Sequence, residues 1–443
     1  MEFDTLLLGR LLTFITLAFH ISFATFGVGI PFFISFVEWF GIRKKDHHYI
    51  IMARRWTRGY IITVAVGVVT GTIIGLQLSL LWPSFMQLAG KVIALPLFME
   101  TFAFFFEAIF LGIYAYTWDR FKNPIYHWLL SLPIVLGAAA SAFFITTVNA
   151  FMNTPQGFTM ENGVITHIQP LIAMFNPATP SKVAHVLVTA YLTSGFGLAA
   201  VAAFLILQKK QHAYYKKALN VLLVSCLIFA VLTAVVGDWA GKFLAEYQPE
   251  KLAAAEWHFV TEERAKLVFG GILDENNLEV HYGISVPLLL SILAFGRPDA
   301  RVIGLNDIPR DAWPPLYIHY FFDLMVLIGV YLIIVPGLYL LFLYLKKQRF
   351  LKALLWPIVL GGPLAMLAIE SGWIMAEVGR QPWIMRGYMR TSEGVTSSPH
   401  VGEMLILFTL LYMMLGIMVT WVLIRLFKNN PAEEELEKKK IIL

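Results

Sequence analysis

Nine long apolar runs, at about 11–37, 59–81, 92–117, 126–151, 182–208, 217–240, 316–345, 353–376 and 403–427, occupy most of this chain. A helix needs roughly 20 apolar residues to cross the hydrocarbon core of a bilayer. In that solvent only helices and closed barrels can satisfy their own backbone polar groups. The expected fold class is therefore all-α: a polytopic membrane bundle of about nine transmembrane helices. Charge agrees, since only 14% of residues are charged where a soluble protein carries roughly 25%. Most of this surface does not face water, and no separate soluble domain is expected. The first run is too long for a signal-peptide core, lacks an Ala-x-Ala-like cleavage site and is followed rather than preceded by its basic cluster, so it reads as a retained helix.

The joints between the runs carry an orientation signal. Joints 41–58, 118–125, 209–216, 346–352 and the tail from Arg425 hold well over half of the 34 lysines and arginines, and they alternate with basic-poor joints. By the positive-inside rule the N-terminus lies outside and the C-terminus is cytoplasmic. The six Lys/Arg between Gly41 and Arg58 lie between two apolar spans, and read as a cytoplasmic loop rather than a nucleic-acid patch. The tail Pro431 to Lys440 is charged and reads as frayed. The only cysteine, Cys226, lies inside an apolar run, which excludes an intrachain disulfide and a thiolate-held iron–sulfur cluster.

One joint is long. Gly241 to Pro315 is polar and lies on the outer side by the same alternation; its Trp257, Phe259, Phe269 and Gly270-Gly271 argue for an ordered lid. The chain thus divides into helices 1–6 (1–240), an extracytoplasmic loop (241–315), and helices 7–9 with the tail (316–443). A second outer segment, Gly379 to Gly402, holds Arg380, Arg386 and Arg390 against the charge rule, so these need local carboxylates or an anionic cofactor.

Ionisable groups inside spans are costly, so each is a functional candidate. Of the eleven histidines, His20 and His185 sit clearly within spans, whereas His47 and His48 lie in the basic joint. For His20 and His185 a helix–helix hydrogen bond and haem ligation both fit the spacing. Met325 lies about nine residues into the seventh run, and could approach His185 in the outer half to form a His/Met pair of the kind that holds low-spin haem. His319 competes for that place but, six residues away, lies on another helical face. Glu100 and Glu107 are spaced i, i+7 and share a face, as a proton relay or a buried hydrogen-bonding pair would require. Glu370 and Glu377 repeat the spacing, and Asp323 and Asp238 complete the membrane-level acids.

The stretch Glu377-Val-Gly379-Arg380-Gln381-Pro382-Trp383 resembles the signature of subunit I of cytochrome bd-type quinol oxidases. Gly9-Arg10 before His20, Gly237-Asp238 ending the sixth run, and Lys251-Leu-Ala-Ala-Ala-Glu256 opening the outer loop agree in order, so the resemblance spans essentially the whole chain. It implies that His185 and Met325 are axial ligands of haem b558, and that His20 and Glu377 hold haem b595 and haem d in an order left open. It further implies that Lys251 and Glu256, with Asp238, serve a quinol-binding loop, that Glu100 and Glu107 line a proton path, and that Arg380 offsets charge beside the haem cluster. Asp323 departs from the pattern, since some members carry arginine two residues before the ligand methionine. The loop is of the short kind.

The resemblance implies a quinol:oxygen oxidoreductase of the bacterial cell membrane. It releases quinol protons outside, takes protons for water from the cytoplasm and does not pump. Its partners would be a second large subunit, in some members a single-helix small one, and menaquinol or ubiquinol with dioxygen. A cyanide-insensitive relative with only b-type haems fits the same scaffold. A secondary transporter would favour broken helices and paired repeats, which are not found, and a haem-copper oxidase needs more intramembrane histidines.

Overall fold

The computed structural model describes residues 4–209 and 212–441; Lys210, counted above in the basic joint 209–216, lies outside them. Among the described residues nine helices are long and apolar enough to cross a membrane: α1 Thr5–Lys44, α2 His47–Leu81, α3 Pro83–Tyr116, α4 Pro124–Asn153, α5 Thr179–Leu207, α6 Ala213–Tyr247, α7 Ile318–Tyr344, α8 Gln348–Val378 and α9 Val401–Asn429. The chain is an all-α polytopic bundle. The helices outrun the apolar stretches because polar caps, rather than hydropathy, end them. The Asp4 carboxylate accepts from Leu6 N (3.1 Å) to start α1, Lys45 turns left-handed (φ 52°) to stop it, and Asp46 accepts from His48 N (3.0 Å) to start α2.

Small residues set the helix spacing. A Cβ on Gly29 would lie 2.5 Å from the Ala190 carbonyl oxygen of α5, and one on Gly137 would lie 3.1 Å from the Ala103 carbonyl oxygen of α3. These glycines let backbones approach where lipid offers no hydrophobic drive for helices to associate. Helices α5 and α6, α6 and α7, α7 and α8, and α8 and α5 pack in a ring, so α5 and α7 stand at opposite corners. On the outside of the bundle, Phe98, Phe102, Phe105 and Ile109 of α3 form a stripe at helical spacing, each about 60% exposed. Such a surface requires lipid or another subunit.

The long loop is ordered. Helix Pro249–Ala255 follows α6, and antiparallel pairs join Leu267–Phe269 to Ile284–Val286 and Ile272–Asp274 to Glu279–His281. The tail departs from expectation: Ala432–Ile441 is a helix, α10, rather than frayed chain. Its Glu435 carboxylate lies 2.6 Å from both Arg55 Nη1 and Arg58 Nη2 of α2, so the basic patch that would repel itself is instead bridged.

Candidate functional site

On α1, His20 Nδ1 lies 2.9 Å from Thr70 Oγ1 of α2. That hydroxyl already donates to the Val66 carbonyl oxygen (2.9 Å), so toward His20 it accepts, and Nδ1 carries the proton. The lone pair is then on Nε2, the arrangement of a metal-ligating imidazole oriented by an outer partner. Gly71 lies beside the ring, where an added Cβ would meet His20 Cε1 at 3.3 Å.

His185 on α5 and Met325 on α7 occupy opposite corners of the four-helix ring. His185 Nδ1 is buried without a hydrogen-bond partner, a cost that an interior polar atom bears only when something else satisfies the ring. Each candidate ligand again lies against a glycine: a Cβ on Gly237 would come within 3.8 Å of His185 Cε1, and one on Gly372 within 3.0 Å of Met325 Sδ. His319 does not rival Met325. Its Nδ1 bonds the Ala255 carbonyl (2.8 Å), its Nε2 faces Gly270 O (3.3 Å) and Asp323 Oδ2 (3.2 Å), and Trp257 stacks on its ring at 3.8 Å.

At the end of α8 the Glu377 carboxylate is held from two sides, by Asn149 Nδ2 of α4 on Oε1 and by Arg380 Nη2 (2.6 Å) on Oε2. Lys182 Nζ bonds Asn149 Oδ1 (2.7 Å) and Lys251 Nζ bonds the Ala376 carbonyl (2.7 Å). Arg380 Nη1 has no partner. Three basic side chains, Lys182, Lys251 and Arg380, gather here beside one carboxylate, a set that an anionic group would complete. The other two arginines of the segment 379–402 have carboxylate partners: Arg386 grips Glu250 (2.6 and 2.9 Å), and Arg390 pairs with Asp311 (2.5 Å).

The Lys251 and Glu256 of the loop motif point to different neighbourhoods. Burial pulls Lys251 down to about 7, against the opposing pull of Glu377. Glu256 is 3% exposed, and burial together with the Asp323 carboxylate pushes it up to about 8. Asp323 accepts from Gly270 N (2.5 Å), so at the position where some relatives carry arginine this chain has a loop anchor. Asp238 is not brought to Glu256; it is half-exposed and pairs with Lys242 one turn on (2.5 Å).

In α3, Glu107 is 4% exposed and accepts from the Tyr60 hydroxyl, while Glu100 accepts from Ser141 Oγ at 3.0 Å. Tyr60 also lies 3.0 Å from the Gly27 carbonyl oxygen. That carbonyl lacks its helical donor because Pro31, four residues on, has no N–H. On α8, Glu370 accepts from Ser22 Oγ (3.2 Å), two residues from His20.

Among the described residues no three His, Cys, Asp or Glu converge on one point. The candidate ligands are single groups, which suits a macrocycle that brings four nitrogens of its own. The model of the cytochrome bd terminal oxidase subunit I family matches residues 8–431. The chain belongs to that family. It is 43% identical to the putative cytochrome bd menaquinol oxidase subunit I of Bacillus subtilis, covering 98% of this chain and 99% of that one. A second B. subtilis protein, cytochrome bd ubiquinol oxidase subunit 1, is 32% identical over 97% of this chain and 95% of its own length. The bd oxidase structure from Geobacillus thermodenitrificans superposes with a TM-score of 0.94 at 60% identity, covering 97% of this chain and all of that one. This bd-family chain is thus a subunit of a respiratory terminal oxidase, in a multi-pass bacterial membrane protein.

Residues that the sequence reading passed over complete the site. Lys182 stands three residues before His185, so a lysine one turn from a candidate ligand was the available signal. Asn149, Tyr60 and Gly372 left no signal in a single sequence. Gly372 carries a direct prediction: Gly372→Val drives a side chain into Met325 Sδ, so if Met325 is a haem ligand, haem absorbance falls in membranes that still contain the chain.

Proposed function

We propose that this chain is the haem-bearing subunit of an oxidase that oxidises quinol at the outer face and reduces dioxygen to water with protons drawn from the cytoplasm. The observation that carries the reading is the set of single candidate ligands: His20, His185 and Met325 each lie against a glycine, Thr70 orients His20, and Asn149 and Arg380 orient the Glu377 carboxylate. When bound, three haems (b558, b595 and d) supply the electron path and the iron at which dioxygen is reduced.

The chain's own residues do the rest. His185 and Met325, from helices at opposite corners of the α5–α8 ring, would hold the low-spin haem b558. His20 and Glu377 hold haems b595 and d, and Lys182, Lys251 and Arg380 offset the negative charge that these groups bring. Glu256, buried beside Asp323, accepts protons from quinol and passes them outward. Helix α3 runs inward from Pro83 to Tyr116, so Glu107 lies nearer the cytoplasm than Glu100, and protons move in that order. Charge separates because release and uptake lie on opposite faces, without a pump. The exposed α3 and α9 faces take lipid and a second large subunit, with a single-helix subunit as a further partner.

The test is a reduced-minus-oxidised spectrum of the purified complex, with quinol-driven oxygen consumption alongside. Low-spin b and red-absorbing d bands are expected. A b signal with no d band favours the b-haem-only relative, and no haem signal overturns the reading.

A further inference from the structure

Glu38, Tyr114 and His127 form a buried cluster that takes no part in the site described so far. All three are at most 4% exposed, and they come from α1, α3 and α4. Glu38 Oε2 accepts from the Tyr114 hydroxyl (2.7 Å), and Glu38 Oε1 lies 2.6 Å from His127 Nδ1. His127 Nε2 lies 3.0 Å from the Tyr114 carbonyl oxygen.

That last contact fixes the protonation pattern. A carbonyl oxygen can only accept, so Nε2 carries a hydrogen. The short contact from Nδ1 to Glu38 then needs one more proton, on either the imidazole or the carboxyl. In both forms the pair is electrically neutral and stores one proton between Nδ1 and Oε1. Without that proton it would hold an uncompensated buried charge, which the low-dielectric interior penalises.

Position makes that proton useful. Glu38 lies six residues before the end of α1, Tyr114 two before the end of α3, and His127 near the start of α4, all at one end of the bundle. Glu107 lies about two turns deeper on the helix that carries Tyr114. Between the cluster and Glu107 is a small apolar-walled cavity of about 10 Å3 whose lining includes Tyr60, Tyr114 and Leu111; it has room for one water, which would pass through rather than lodge there. On the far side, Tyr60 donates to Glu107 and has the Pro31-freed Gly27 carbonyl as its alternative acceptor. Trp118 covers the other side of His127 at 4.2 Å.

We propose that the Glu38–His127 pair is the proton-loading station at the cytoplasmic mouth of the path through Glu107 and Glu100. The inference rests on the proton-path role given to those two acids above. The step needs no co-reactant. Tyr114 turns its hydroxyl hydrogen from Glu38 to a water that enters the cavity, and Glu38, now carrying the shared proton, passes it from Oε2 to the Tyr114 oxygen. Tyr60 receives a proton from that water on oxygen while passing its own hydrogen to Glu107, and the Glu38–His127 pair takes a replacement from the cytoplasm. Tyr60 then turns its hydroxyl to Gly27 O once Glu107 is protonated.

A purely fastening role for the pair would hold α1 to α4 without touching rate-limiting proton delivery. The discriminating experiment uses the whole oxidase complex in proteoliposomes, with Glu38→Gln, Glu38→Asp, Tyr114→Phe and Glu107→Gln beside wild type. The readouts are quinol-driven turnover, its solvent deuterium isotope effect and the reduced-minus-oxidised spectrum. Glu38→Gln and Tyr114→Phe are expected to slow turnover about tenfold or more, with a larger isotope effect and an unchanged haem spectrum, and Glu38→Asp to restore most of the rate. Tyr114→Phe leaves the Glu38–His127 contact in place, so it answers the question even where Glu38→Gln fails to assemble. Wild-type turnover and isotope effect in both variants, with Glu107→Gln blocked, would sink the loading station alone. Unimpaired Glu107→Gln would remove the path itself, and the station with it.

Discussion

His185→Ala and Met325→Leu each abolish the low-spin haem signal and stop quinol-driven oxygen consumption, while the chain still reaches the membrane. The expectation follows from where the two residues stand. They project from α5 and α7, the two helices of the ring that do not pack side by side, and each lies against a glycine of a flanking helix. The two residues would hold the haem iron between them, and a leucine offers the shape of methionine without its sulfur lone pair. His185 Nδ1 has no protein partner to compensate the loss. Because neither substitution touches the Glu377 cluster, high-spin absorbance from the other sites should persist in both variants. Loss of every haem band in Met325→Leu would instead mean that the bundle collapses without its ligand. Retention of a normal low-spin band would show that another residue coordinates that iron. His319 is a poor alternative, since its two nitrogens are engaged by Ala255, Gly270 and Asp323.

Hydropathy made the nine spans legible, because bilayer thickness imposes one length scale on every crossing. It could not show where they end. The caps at Asp4, Lys45 and Asp46 extend α1 and α2 well past their apolar cores, and a charged tail became a helix once Glu435 met Arg55 and Arg58. Among candidate site residues, those placing an unusual group in an apolar run were readable as candidates: His20, His185, Glu100 and Glu107. What the sequence could not supply was pairing. Asp238 looked like a companion of Glu256 but bonds Lys242, whereas Asp323, seen first as a departure from a pattern, is the carboxylate that Glu256 senses. His127 sits at the edge of an apolar run, where a histidine reads as an ordinary interfacial residue, yet it is buried. Tyr60 shows why such roles are hidden: its function depends on a carbonyl freed by a proline on another helix.

Glu256→Gln lowers quinol oxidation more than tenfold without altering the haem spectrum, and it also removes the pH dependence of the rate. Burial and Asp323 push the Glu256 carboxyl up to about 8. Below that pH the group is mostly neutral and cannot take a proton from quinol; above it the group is charged and can. The rate under limiting quinol should therefore climb as pH rises toward 8 and flatten beyond, since the fraction of competent base follows the folded-state titration. The same shift acts on stability in the opposite direction. The folded state binds this proton more tightly than the unfolded chain does, so stability declines as pH rises from the ordinary glutamate range through about 8. Glutamine cannot ionise, so in Glu256→Gln both slopes disappear. Asp323→Asn supplies the sign check. It keeps an acceptor for Gly270 N but removes the negative charge that opposes ionisation of Glu256, so the rise in rate should move to lower pH. A pH–rate profile that stays in place in Asp323→Asn would mean that burial alone tunes Glu256. A profile that persists in Glu256→Gln would assign the limiting proton transfer to a different group, and Lys251, drawn down to about 7 on the other side of the same short helix, would be the next to replace.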